Sequence, residues 1–308
     1  MAKHCIQLSD EIAQAYINTM RWYYLSHFQR YLRALEKLKI HVMEKYDILG
    51  QEDLTKRSGS DILHIGICFL TNPIDTLLPS LKSASIVAHD PFSLGRRIET
   101  LRNREHPPLK ATSIDDDKSM HYLEVPFRHF NYALMENACS EYTFITEFFS
   151  YKSYEQASVM FQQIFGPTFT LGQNFTKSLV DPNLDALGIL LAVRLNNQFA
   201  FELQRRRVPV LDGYINVTNM LLWPRFQTVM DAHGESLRKY HSSNNLGGNH
   251  TIPVSGDPKH NTAPHLLTQR FGQFLHGILI LSAEAGDDEP IANRCALNSL
   301  SSKLLVLL

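Results

Sequence analysis

The tightest constraint on this chain is a run of apolar residues spaced by three and four near its start. Ile17, Met20, Tyr24, Phe28, Tyr31, Leu35, Leu38 and Val42 follow one another at those steps, and Leu25 and Leu32 widen the stripe. Ser26, Gln29, Arg30, Arg33, Glu36 and Lys37 fall away from it. This is the period of an amphipathic helix that buries one face. Ser9 with Asp10 and Glu11 supplies an N-cap and an acidic first turn, and Gly50 supplies a stop. A helix from about 10 to about 47 would extend roughly 55 Å at 1.5 Å per residue. That length suggests a rod.

The same stretch, RWYYLSHFQRYLRALEKL, mixes aromatic and basic side chains. From Arg21 to Lys45 there are six basic residues against two acidic ones. A stacking platform for bases needs exposed rings beside cations. Here the rings lie mostly on or beside the apolar stripe, so the pattern favours core packing with a solvated basic back over contact with an anionic surface.

Later segments repeat the helical logic. Pro126 suits a first turn, and Phe127, Phe130, Leu134, Ala138, Tyr142, Ile145 and Phe149 form one face of the helix that follows. Met135 and Cys139 give that helix a second apolar edge, for two neighbours. Shorter helices are expected over about 154–165, ending at Gly166-Pro167, and about 170–180. Asp181-Pro182 reads as a cap and first turn for a helix reaching Arg205-Arg206-Arg207. Another should begin near Leu211, kink at Pro224 and run to about Tyr240, with a last one over about 265–282. No stretch alternates with period two for long, so no sheet is expected.

Between these helices the pattern weakens. Asp61–Leu70 is either a short helix or a buried extended segment, and Phe92–Arg102 has room for a helical turn. The expected organisation is a long amphipathic helix over 1–50, then a largely irregular connection over 51–123. A main helical bundle over 124–241, a Gly/Asn/Ser/Pro-rich linker over 242–264, and a terminal helix with a tail over 265–308 complete it. The fold class is all-α, an elongated helical rod or bundle.

Composition excludes several function classes. Thirty basic and 31 acidic residues in 308 leave no global field to draw in nucleic acid or anionic lipid. The four cysteines, Cys5, Cys68, Cys139 and Cys295, are far apart and form no C-x-x-C pair, which fits a reducing compartment. The start MAKHCIQLSDE lacks a secretory apolar core, and the longest nearly pure apolar run, Ala186–Val193, is far short of the ~20 residues that span a bilayer. A soluble, cytosolic protein is expected, with the sequons at Asn174, Asn216 and Asn249 unused.

Catalytic signatures are missing too. There is no phosphate-binding P-loop, no G-x-S-x-G elbow and no H-E-x-x-H helix. His250, His260 and His265 share a polar linker without acidic or thiol partners. Asp115–Asp117 lacks the alternating spacing of a calcium loop, and Arg205–Arg207 suits a helix C-terminus better than a phosphate site. No catalytic, cofactor-binding or metal residues are assigned. Trp22, Phe28, Tyr31, Phe148, Trp223, Pro224 and Phe226 are the structural and interaction candidates. Trp223, at the Pro224 step, is expected to anchor packing.

Four phrases occur in order: WYYLSHFQRYLRALEKL with DILGQED, PFRHFNYALMENACSEYTFITEFF, RRRVPVLDGYINVTNMLLWPRF and HLLTQRFGQFLHGILIL. Over most of residues 10 to 281 the chain resembles the "fifty-two" subunit family of vacuolar protein sorting tethers, shared by the Golgi-associated retrograde protein complex (GARP) and its endosomal counterpart (EARP). The resemblance implies a subunit of a multisubunit vesicle tether with helical-rod domains like those of exocyst and conserved oligomeric Golgi subunits. Such a subunit acts in retrograde endosome-to-trans-Golgi-network transport and endosomal recycling by scaffolding rather than catalysis. It implies the other tether subunits as partners, with SNAREs and Rab and Arf-like small GTPases, and no nucleic acid. It also implies a cytosolic protein peripheral on trans-Golgi-network and endosome membranes, where membrane contact is indirect. The family carries an N-terminal coiled coil ahead of the matched segment and further helical chain beyond about Ser282. The alternative from another class is a helical enzyme with a site assembled from Glu136, Glu141 and scattered histidines. A nucleic-acid binder comes third.

Overall fold

The computed structural model describes residues 6–45, 47–50, 92–104, 106–149, 154–246 and 266–283. The first helix, α1, is Ile6–Leu35, followed by a two-residue strand, β1, Lys39–Ile40. A 3-10 turn at Gly95–Ile98 leads into α2, Glu99–Arg102, and α3 is Ala111–Asp115. Strand β2, Met120–His121, precedes α4, Glu124–Phe148, and α5, Tyr154–Val180. Helix α6 is Ala186–Arg206, and a 3-10 turn at Pro209–Leu211 opens onto α7, Asp212–Leu246. Helix α8 is Leu266–Ala283. The fold is all-α, and among the described residues the short β1–β2 pair is the only strand structure.

Two compact units divide the chain: Met1–Val42 with Arg96–Val229, and Met43–Gly95 with Met230–Leu308. In the first, α1 packs on α5 and α4, while α4 packs on α5 and α6. The α1 stripe behaves as its spacing requires: Ile17, Tyr24, Phe28, Leu35 and Leu38 are buried, and Gln29, Arg30, Arg33, Glu36 and Lys37 are exposed. Helix α4 buries Phe127, Phe130, Leu134, Ala138 and Ile145 on one face and Met135 and Cys139 beside it, so it has the two neighbours its two edges call for.

The expected long helix is shorter at its C-terminal end. It ends at Leu35 rather than near 47, because Lys39 and Ile40 pair in parallel with Met120 and His121, and the His41 N–H donates to the His121 carbonyl at 2.7 Å. Those strand bonds compete for the backbone that a longer helix would use, and Val42 is left exposed. This pair also corrects the expectation of no sheet; two residues are too few to show an alternation. Ser9 lies inside α1, which starts at Ile6, so it is not the N-cap.

Pro167 does not end a helix. Helix α5 runs through it, losing one backbone hydrogen bond at a cost of roughly 3 kcal/mol. Phe161, Phe165 and Phe169 lie on both sides of it and stack in sequence, centroids 4.7 and 5.6 Å apart, against Tyr24 and Tyr214. Burying each ring contributes about 1.5–3 kcal/mol, and only a continuous helix keeps the three in register. Helix α7 likewise runs unbroken through Pro224 to Leu246, past the Tyr240 limit and into the expected linker. The remainder of that linker, from 247, lies outside the described residues, as do Asp61–Leu70 and residues 284–308.

The start of α6 is also displaced from its sequence signal. Asp181 still bonds back to Lys177 at the end of α5, and Asp185 is the true cap, accepting from the Gly188 N–H at 2.9 Å. At its other end Arg207 adopts φ 59°, a left-handed cap position that glycine fills most easily.

In the second unit, Phe92, His233 and Phe274 meet edge to face or tilted, 5.4–5.9 Å apart. The Leu49 N–H donates to His233 Nδ1 and the Gly50 N–H to Ser236 Oγ. A Cβ on Gly50 would collide with the Ser236 carbonyl, so this glycine serves close backbone approach rather than a helix stop.

Candidate interaction surface

Two polar clusters inside the first unit are committed to holding helices together. Arg97 donates from Nε and Nη2 to Glu124 Oε1 and Oε2, both at 2.8 Å, and from Nη2 to Asp185 Oδ2 at 2.6 Å. All three are buried, and the guanidinium lies 3.9 Å from the Tyr122 ring centre. The two carboxylates hold the guanidinium charged, pushing its pKa up against the opposing cost of burial. Gly188 is needed here, because a Cβ would stand 2.6 Å from both Arg97 and Asp185.

The second cluster joins α1 to α4. Tyr16 and Tyr24 donate their hydroxyls to the two oxygens of buried Glu141, at 2.6 and 2.8 Å. Burial first, and the Glu141 carboxylate with it, pushes both phenols well above the ordinary tyrosine range. The sequence did carry a trace of this site: Glu141 sits at helical spacing between Ala138 and Ile145 on an apolar stripe. The Arg97 cluster left no such trace, since its three members come from separate elements.

These partners also account for the carboxylates of the enzyme alternative. Glu141 holds the two tyrosines, and Glu136 receives both Arg206 Nη atoms at 2.8 and 3.0 Å. Arg205 and Arg206 both donate to Glu202 as well. Asp115 pairs with Lys37, and Asp117 accepts from Ser119 beside His121. No group of His, Cys, Asp and Glu suited to a metal ion occurs among the described residues, and no described helix is long and apolar enough to cross a membrane.

The interaction candidates separate by burial. Phe28 is buried against Phe130, and Phe226 is buried with the half-buried Trp223 ring 5.8 Å away. Tyr31 is half-buried with its hydroxyl enclosed, and Pro224 is exposed on α7. Phe148 is 56% exposed and joins an aromatic group with Phe144 and Phe149. Exposed Phe144 and half-buried Tyr16, which stack at 5.4 Å, lie off the apolar stripes and so carry no periodic signal in the sequence.

Trp22 is 70% exposed on α1. Ser26, Gln29 and Arg33 follow it at helical spacing on the side opposite Tyr24, Phe28 and Leu35. Among the described residues, Arg21 and Arg33 are exposed and make no ion pair, while Arg30 reaches only the His27 ring, at 3.1 Å. This face is the best-formed candidate contact surface of the first unit.

The sequence matches the family model described as "Vps52, C-terminal" over residues 18–60 and 75–304. It is 30% identical over 285 residues to vacuolar protein sorting-associated protein 52 of Saccharomyces cerevisiae, covering 90% of this chain and 44% of that protein. It is 31% identical over 297 residues to the Schizosaccharomyces pombe protein of the same name, covering 93% and 50%. Against the Homo sapiens homologue it is 29% identical over 277 residues, covering 89% and 34%. The chain thus spans half or less of the length of these relatives. No solved structure matches it. With the model match extending over most of its length, the chain belongs to the Vps52, C-terminal family.

Proposed function

We propose that this chain is the helical part of a vesicle-tethering subunit of the GARP/EARP kind, serving retrograde endosome-to-trans-Golgi-network transport and endosomal recycling by protein–protein scaffolding. The observation that carries the reading is the family match across residues 18–60 and 75–304, with relatives named for vacuolar protein sorting in fungi, plants and mammals. The chemistry of the described side chains supports it. The buried ion pairs join helices, and the exposed side chains with the largest binding capacity are aromatics and arginines on helix surfaces. Tether subunits, SNAREs and Rab or Arf-like GTPases are the proposed partners. The chain works on the cytosolic side of trans-Golgi-network and endosome membranes, reached through those partners, because several modest protein contacts acting together hold a scaffold by avidity. Trp22, Phe148 and Trp223 are the proposed contact residues, with Pro224 exposed beside Trp223 and Phe28, Tyr31 and Phe226 supporting them from the packing.

The test is co-purification of the tagged chain from cells with quantification of the tether subunits. Stoichiometric recovery of those subunits is expected; recovery of the chain without any of them overturns the reading. Liposome flotation at physiological salt separates direct from indirect recruitment, and strong binding to protein-free liposomes would refute the indirect route.

A further inference from the structure

We infer that the outer face of α1, centred on Trp22, docks a carboxylate-rich amphipathic helix of another protein. Between Ile12 and Leu35 the helix contains no Asp or Glu at all, and it carries Arg21, Arg30 and Arg33. Ion pairs elsewhere in the unit neutralise Lys37, Arg97, Arg205 and Arg206, but among the described residues these three arginines have no carboxylate partner. An indole 70% exposed in their midst completes the face, with Tyr23 at 43% beside it.

The composition selects the occupant. Tryptophan and arginine are the residues that concentrate binding energy at protein interfaces: an indole fills a pocket, and a guanidinium grips a carboxylate with two parallel hydrogen bonds. A lipid surface is a poorer fit. The residues around Trp22 on this face, Asn18, Ser26 and Gln29, are polar, so the apolar footprint is little more than the Trp22 and Tyr23 rings. Each basic residue near an anionic membrane contributes only about 1 kcal/mol. A second copy of the chain is excluded by sign, because a two-fold contact through this face would set arginines against arginines. What fits is a helix with apolar residues in steps of three and four, flanked by Glu or Asp, laid along α1. This deepens the tethering reading and rests on it only for the identity of the protein that carries the helix.

The surface residues can be changed without opening the core, so the test uses the whole chain. A fluorescent synthetic amphipathic helix with leucines at the contact spacing and glutamates beside them is titrated by anisotropy, next to the same peptide with lysines in place of the glutamates. Wild-type chain should bind the acidic peptide. Trp22→Ala should weaken that binding at least about tenfold, and Arg30→Glu with Arg33→Glu should switch preference to the lysine peptide, with helical circular dichroism unchanged in both variants. Equal affinity for the two peptides, or undiminished binding in Trp22→Ala, overturns the inference. So does flotation of wild type with phosphatidylserine vesicles that the Arg30→Glu, Arg33→Glu variant loses, which assigns the face to a membrane. In cells the two variants should lose at least one tether subunit that wild type retains. If wild type brings down the subunits and both variants keep all of them, the docking face falls while the tethering reading stands. If wild type brings down none, the tethering reading falls and the peptide and vesicle titrations decide the face.

Discussion

Arg97 grips Glu124 through two parallel hydrogen bonds, Nε to Oε1 and Nη2 to Oε2, each 2.8 Å long and closed off from solvent. Asp185 takes the remaining side of the same guanidinium while capping α6. Removing the cation strands two buried carboxylates, so Arg97→Met should destabilise the chain by about 3–5 kcal/mol. Adding Glu124→Leu and Asp185→Asn to that variant should recover much of the loss, since asparagine still caps and no charge is left buried. Chemical denaturation of the single and triple variants measures both effects.

Among the described residues, Glu141 is the only acceptor for the hydroxyls of both Tyr16 and Tyr24. Tyr24→Phe should cost roughly 1.5–3 kcal/mol, and the double-mutant cycle with Glu141→Gln should show clear coupling. A pH consequence follows from the same contact. Both phenols are held neutral above their unfolded value near 10, so their contribution is complete below pH 10 and is lost as the pH rises beyond it. Thermal melts above pH 10 should fall steeply in wild type and less so in the double Tyr→Phe variant.

His129 contributes to the loss of stability on the acid side. Burial first, then the charges of Arg128, His121 and His106, pushes its pKa down to about 4. Because the folded value lies below the ordinary one near 6.5, stability is complete above that pH and declines as the pH falls toward 4. Allowing for solvent screening of the half-buried ring, the loss should be about 1–2 kcal/mol at pH 4. His129→Gln should flatten this limb, and melts between pH 7 and 4 would show it.

Arg207 occupies a left-handed position, φ 59°, at the end of α6. Arg207→Gly should stabilise the chain by about 1 kcal/mol by relieving that strain, the conformational freedom of glycine offsetting part of the gain. No change in midpoint on denaturation would show that the cap is unstrained.

Trp223 is half-buried and meets Phe226 edge to face, with the ring centres 5.8 Å apart. Trp223→Ala should therefore cost about 1–3 kcal/mol, below the loss for a fully enclosed ring. Unchanged stability with lost partner recovery would place the indole at an interface instead.

By itself the sequence determined the helices and their buried faces. The spacing of Ile17, Tyr24, Phe28 and Leu35 on one helix, and of Phe127, Phe130, Leu134 and Ile145 on another, is a local property that backbone geometry converts directly into burial. Tertiary structure decided where helices stop and what their polar residues do. Pro167 and Pro224 are local breakers, yet each is outweighed by packing on both sides of it, which no short window can register. Leu35 ends α1 because of a strand pairing with residues about eighty positions away. The Arg97–Glu124–Asp185 and Tyr16–Tyr24–Glu141 clusters likewise draw on residues distant in the chain, so each exists only once the helices have met. Trp22 was visible as an aromatic beside arginines, but it lies off the apolar stripe. Its exposure follows from which side of α1 meets α5 and α4, and that is settled by packing alone.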